Sequence, residues 1–135
     1  MKDYRTKLIT ELVAAIQTAT GKTPYTRLPK AAQISYPYIH ISDIYDSEVG
    51  DKTIFEHEVD LLINVVHLDL NSLADFYTNI DNIKSIINNN SGVDLSPNFK
   101  CREMRLNLCT TSEIETEIGT LSIANIRILF YIEEL

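Results

Sequence analysis

From Thr53 to His67 the chain alternates apolar and polar side chains almost without a break. Phe55, Val59, Leu61, Ile63 and Val65 occupy odd positions, and Glu56, Glu58, Asp60 and Asn64 occupy even ones. Successive side chains of a strand point to opposite faces, so this period of two predicts a long strand at 53–67 with one dry face. A half-wet strand belongs to an antiparallel sheet, and the dry face of such a sheet needs a cover.

The rest of the chain supplies the partners and the cover. Residues 120–133 repeat the alternation, with Ala124, Ile126, Ile128, Phe130 and Ile132 on one face and Asn125 and Arg127 on the other. Residues 36–45 predict a strand with Ile39 and Ile41 facing opposite to Tyr38 and His40, and Pro37 marks its start. Residues 100–111 predict another, with Met104, Leu106 and Leu108 inward and Glu103, Arg105 and Asn107 outward. The acidic stretches 46–52 and 112–119 read as connections within two hairpins.

Two helices complete the order. Leu8, Leu12, Ala15, Ile16 and Ala19 recur at steps of three and four, predicting a helix over 4–19 that stops at Gly21. Leu73, Phe76, Tyr77, Ile80, Ile83, Ile86 and Ile87 predict a second over 71–89, opened by a capping box of Ser72 and Asp75. Residues 24–35, with Pro24 and Pro29, read as irregular or as a short edge strand. The expectation is an α+β fold: an antiparallel sheet of about four to five strands, with two amphipathic helices packed on one face.

At 135 residues the chain is expected to form a single domain, 1–135, large enough to fold without a disulfide or metal staple. Cys101 and Cys109 would lie about 26 Å apart along one strand, too far for a bridge. Free thiols fit a reducing compartment. No apolar run reaches the roughly 20 residues of a membrane span, and the first residues are too charged for a signal peptide. The expectation is a chain that starts at Met1, inside a cell and off the membrane.

The net charge is -7, from 19 acidic and 12 basic side chains, which disfavours wrapping around a nucleic acid. The charge is uneven. Residues 1–30 hold six bases and two acids, a net of +4, so residues 31–135 carry -11. The densest acidic stretch holds Asp43, Asp46, Glu48, Asp51, Glu56, Glu58 and Asp60 against the lone base Lys52.

Chemistry-bearing motifs are sparse. His40, His57 and His67 show no metal-ligand spacing and read as ordinary strand residues. Glu56 with Glu58, and Glu115 with Glu117, would share a strand face about 6.6 Å apart, a spacing suited to a cation or to acid–base work. No histidine, lysine or tyrosine converges on them in sequence. Nucleophile elbows, phosphate loops and basic-aromatic patterns are absent. These readings give no catalytic residue, no cofactor and no metal site.

The segment Tyr36-Pro-Tyr-Ile-His-Ile-Ser, an acidic loop, and Phe55-Glu-His-Glu-Val-Asp-Leu-Leu-Ile-Asn-Val together resemble the tail terminator (tail completion) and neck ring proteins of tailed bacteriophages. The likeness lies in the order of elements over essentially the full length. It implies a structural virion protein that forms a ring, usually of six subunits, at the head-proximal end of the tail tube. Such a ring ends tube assembly and meets the head connector or portal-proximal protein. DNA passes through its lumen as non-specific cargo. The resemblance implies localisation in the virion tail or neck, after synthesis in the host bacterial cytoplasm.

Two surface expectations follow. The acidic set Asp43, Asp46, Glu48, Asp51, Glu56, Glu58 and Asp60 is a candidate lumen lining, where negative charge lets DNA slide without sticking. Leu62, Val66, Leu121, Ile123, Leu129 and Tyr131 share the outer face with the charges and are candidates for a subunit interface. The alternatives are a twelvefold portal-to-tail adaptor ring of a short-tailed phage, a monomeric cytosolic ligand- or partner-binding module, and a metal-dependent nuclease using Glu56, Glu58 or Asp60.

Overall fold

A computed structural model describes residues 3–49, 56–68, 73–88 and 93–135. The order is α1 (Arg5–Thr20), β1 (Tyr38–Val49), β2 (Glu56–Leu68), α2 (Leu73–Asn88), β3 (Phe99–Thr116) and β4 (Gly119–Glu134), with a single 3-10 turn at Ala31–Gln33. The four strands make one antiparallel sheet in the order β1-β2-β4-β3. This is the α+β architecture expected from the sequence, with both predicted hairpins formed.

The alternation that predicted β2 is the alternation of burial. Val59, Leu61, Ile63 and Val65 are fully buried, opposite Phe130, Ile128, Ile126 and Ala124 of β4. The helical stripes close over this inner face: Leu8, Leu12 and Ile16 from α1, and Phe76, Ile80, Ile83 and Ile87 from α2, join the same core. Each large apolar side chain so buried contributes about 1.5–3 kcal/mol. At the end of α1, Gly21 takes the left-handed φ of 75°, and its N–H donates to the Gln17 carbonyl at 2.8 Å. At the other end, Tyr4 is buried against His57 and Phe99, which anchors α1 to β2 and β3.

The strand bounds differ from the expectation. β1 continues to Val49, through part of the predicted 46–52 connection. Residues 50–55, with Phe55 and Asp51, lie outside the described residues, as does the Ser72 cap. The 112–119 connection is mostly strand: β3 runs to Thr116 and β4 starts at Gly119, so only Glu117 and Ile118 turn.

Face assignments slip at three bulges, where Ser42, Arg102 and Asn107 are extra residues without a partner in the ladder. An extra residue reverses the facing of everything beyond it. Met104 and Leu106 stand on the inner side, opposite Phe130 and Ile128, but Leu108 stands opposite Arg127 on the outer side. The inward placement of Leu108 is therefore corrected by the Asn107 bulge. The Arg102 and Asn107 bulges leave Cys101 and Cys109 both on the inner side, half-buried and free. Burial pushes the Cys101 thiol upward.

Candidate functional site

The face turned away from the helices is the surface with the most to explain. Its side chains follow from the register as rows across β1, β2, β4 and β3. At the end where β1 begins, the rows are apolar: Tyr38–Val66–Ile123–Ser112, with Leu68, Leu121 and Ile114 just beyond. At the opposite end they are charged: Ser47–Glu58–Tyr131–Glu103, then Glu56–Glu133–Lys100. Between them Asn64 donates to Asn125 at 2.6 Å, joining β2 to β4 side chain to side chain.

The six interface candidates all belong to this face, but they are not one patch. Val66 and Leu129 are already buried within the chain, at 3% and 6% exposure. Leu62, Leu121, Ile123 and Tyr131 are half-buried. Val66, Leu121 and Ile123 cluster at the apolar end. Leu129 and Tyr131 sit among charges, where the Arg105 guanidinium lies 5.7 Å from the Tyr131 ring centre.

The seven acidic candidates are divided more sharply. Asp43, Glu56, Glu58 and Asp60 occupy the outer face. Two of them are neutralised by arginines from the neighbouring hairpin. Arg102 reaches Glu56 at 3.0 Å and Glu133 at 3.7 Å, while Arg127 reaches Asp60 at 3.2 Å. Asn107, the bulged residue, also donates to Asp60 at 3.3 Å. Among the described residues, Asp43 and Glu58 have no ion-pair partner.

Asp46 is on the other side of the sheet. The Ser42 bulge turns it inward, opposite Val59, where its carboxylate lies 3.1 Å from His57 Nδ1. His57 is buried, and its ring lies tilted against Tyr4 with the centroids 5.0 Å apart. Burial, reinforced by the Asp46 charge, raises the Tyr4 phenol well above its ordinary value, so it stays protonated. This cluster ties α1 to the β1–β2 hairpin and was not legible in sequence, because the bulge is what creates it. Glu48 lies opposite His57 in the register, and Asp51 is outside the described residues.

The remaining histidines have separate surroundings. His67 is buried, with Nε2 at 3.0 Å from the Asn79 side chain, and burial lowers its pKa. His40 is half-buried on the outer face, and burial lowers it too. Among the described residues, no group of three or more His, Cys, Asp or Glu side chains is arranged to hold a metal ion. Among the described residues, no helix is long and apolar enough to cross a membrane.

The fold itself has relatives among solved structures. A chain from a structure described as the virion of a native gene transfer agent particle superposes with a TM-score of 0.70. The match covers 96% of this chain and 91% of that one, at 13% sequence identity. No protein-family model and no curated protein matches the sequence. What is shared is the fold over nearly the whole length of both chains.

Proposed function

We propose that this protein is a structural component of a phage-like virion, which assembles into a ring at the head-proximal end of the tail. The ring ends tube growth, joins the tube to the head connector and lets DNA through its lumen. The observation that carries this reading is the end-to-end fold likeness to a chain of a gene transfer agent virion.

Two features of the surface agree with such a role. The described part of the chain is organised around a sheet whose β3 edge and much of whose outer face are exposed. Sheet edges and apolar outer-face residues are what a ring of subunits covers. The uncompensated Asp43 and Glu58 are the acids best suited to face passing DNA, since Glu56 and Asp60 are already occupied by arginines. The chain then acts by shape and charge, with no catalytic residue.

Gold-labelled antibody against this protein, applied to intact particles, tests the placement. The expected result is label at the junction of head and tail. Label along the capsid or at the distal tip would overturn the tail-terminator reading and leave only the virion component.

A further inference from the structure

The sheet carries charge clusters of opposite sign on its opposite edges. On the β3 edge, the tip of the β3–β4 hairpin bears Glu113, Glu115 and Glu117, with no base between Leu106 and Asn125. On the β1 edge, residues 22–35 form a strap bearing Lys22, Arg27 and Lys30, with no acid. The strap is fixed there because the Tyr25 N–H donates to the Ile39 carbonyl at 2.7 Å and the Ile41 N–H to the Tyr25 carbonyl at 2.9 Å.

The acidic tip stands at the end where β3 finishes, and Tyr25 anchors the strap beside His40, in the row that ends at Thr110 of β3. Among the described residues, Arg27, Lys30, Glu113, Glu115 and Glu117 form no ion pair within the chain. They cannot pair there: strap and β3 are four strand spacings apart, roughly 19 Å. Each cluster also holds exposed apolar side chains, Ile114 and Ile118 at the tip and Leu28 in the strap.

We infer that the acidic hairpin tip of one copy docks on the basic strap of the next copy. This rests on the ring reading in requiring a second copy, and it names the surfaces that meet. Two copies set edge to edge in the same orientation, with one shifted along the strands by roughly five residues or 17 Å, bring the acidic tip against Arg27 and Lys30 and Ile114 and Ile118 toward Leu28. The contact is heterologous, so its repetition generates a closed ring or an open fibre and not a two-fold dimer. In that arrangement β3 of one copy and β1 of the next run antiparallel, with the strap between them where it bonds Ile39 and Ile41.

Carbodiimide, which couples carboxylates to amines in direct contact, tests the inference on an equal mixture of ordinary and 15N-labelled protein. The expected products are mixed-label cross-links joining Glu113, Glu115 or Glu117 to Lys22 or Lys30. In low salt, the E113K/E115K/E117K variant is expected to assemble at least about tenfold more weakly, as is R27E/K30E, and combining the two sets is expected to restore assembly. These positions are exposed, and unchanged circular dichroism and melting would show that the variants remain folded. An oligomer that ignores both reversals, with cross-links elsewhere, would overturn the inference and leave the ring reading standing. A chain that stays monomeric at every concentration would overturn both.

Discussion

The polar side chains that tie elements of the fold together each have a measurable signature. His67 is held neutral by burial, its folded pKa lying below the ordinary value near 6.5. Between the folded value and about 6.5 the unfolded chain binds the extra proton, so stability rises with pH there. Its contribution is complete above about pH 6.5 and is lost as pH falls toward the folded value. The urea midpoint is therefore expected to drop between pH 7 and pH 5, and H67Q to flatten the drop; His40, shifted in the same direction, leaves some slope behind. An equal slope in H67Q would refute the assignment. The Asn64–Asn125 bond gives a second test. Changing either residue to alanine is expected to cost about 1–2 kcal/mol, because the partner loses its bond. The double variant should cost clearly less than the sum, which a double-mutant cycle in urea measures. Neither pair was legible in sequence, since Asn64–Asn125 depends on which strands become neighbours and His67–Asn79 on how α2 packs on β2.

At the scale of elements, the periodic signals carried the fold and the bulges hid from them. Two amphipathic stripes and four alternating runs announced both helices and all four strands. Burial enforces those periods, so they were readable wherever a segment faces the core. They failed where it does not. The hairpin tip, 110–118, is exposed throughout, so Thr, Ser and Glu stand at strand positions without any apolar face to mark them. Ser42, Arg102 and Asn107 each shift facing by one residue, and nothing in composition signals it. The same contrast predicts how substitutions behave. Leu12 is fully buried beneath the sheet, and L12A is expected to cost about 3–5 kcal/mol in thermal or urea unfolding. Ile114 is half exposed on the tip, and I114S should change folding stability by no more than about 0.5 kcal/mol. If I114S unfolded the monomer as L12A does, the tip would be part of the core and not a free surface.

For the molecule as a whole, the distribution of charge sets what it can do. The acidic run in the sequence is not one acidic surface: the fold sends Asp46 inward to His57 and gives Glu56 and Asp60 to arginines. A lumen lining would depend on Asp43 and Glu58. Particles carrying D43N/E58Q are then expected to assemble with normal tails and to release DNA more slowly, as DNA adheres to a less repulsive channel. Unchanged release kinetics would remove those two residues from the lumen. Beneath this lies the claim that the chain works as a ring of copies. Native mass spectrometry of the purified protein across a concentration series, with and without magnesium, tests it most directly. The account predicts a discrete closed species of six or twelve subunits, indifferent to the metal, with the smaller number favouring a tail terminator and the larger a portal adaptor. A monomer at all concentrations, or one that takes up magnesium, would contradict it in favour of a binding module or an acidic-site enzyme.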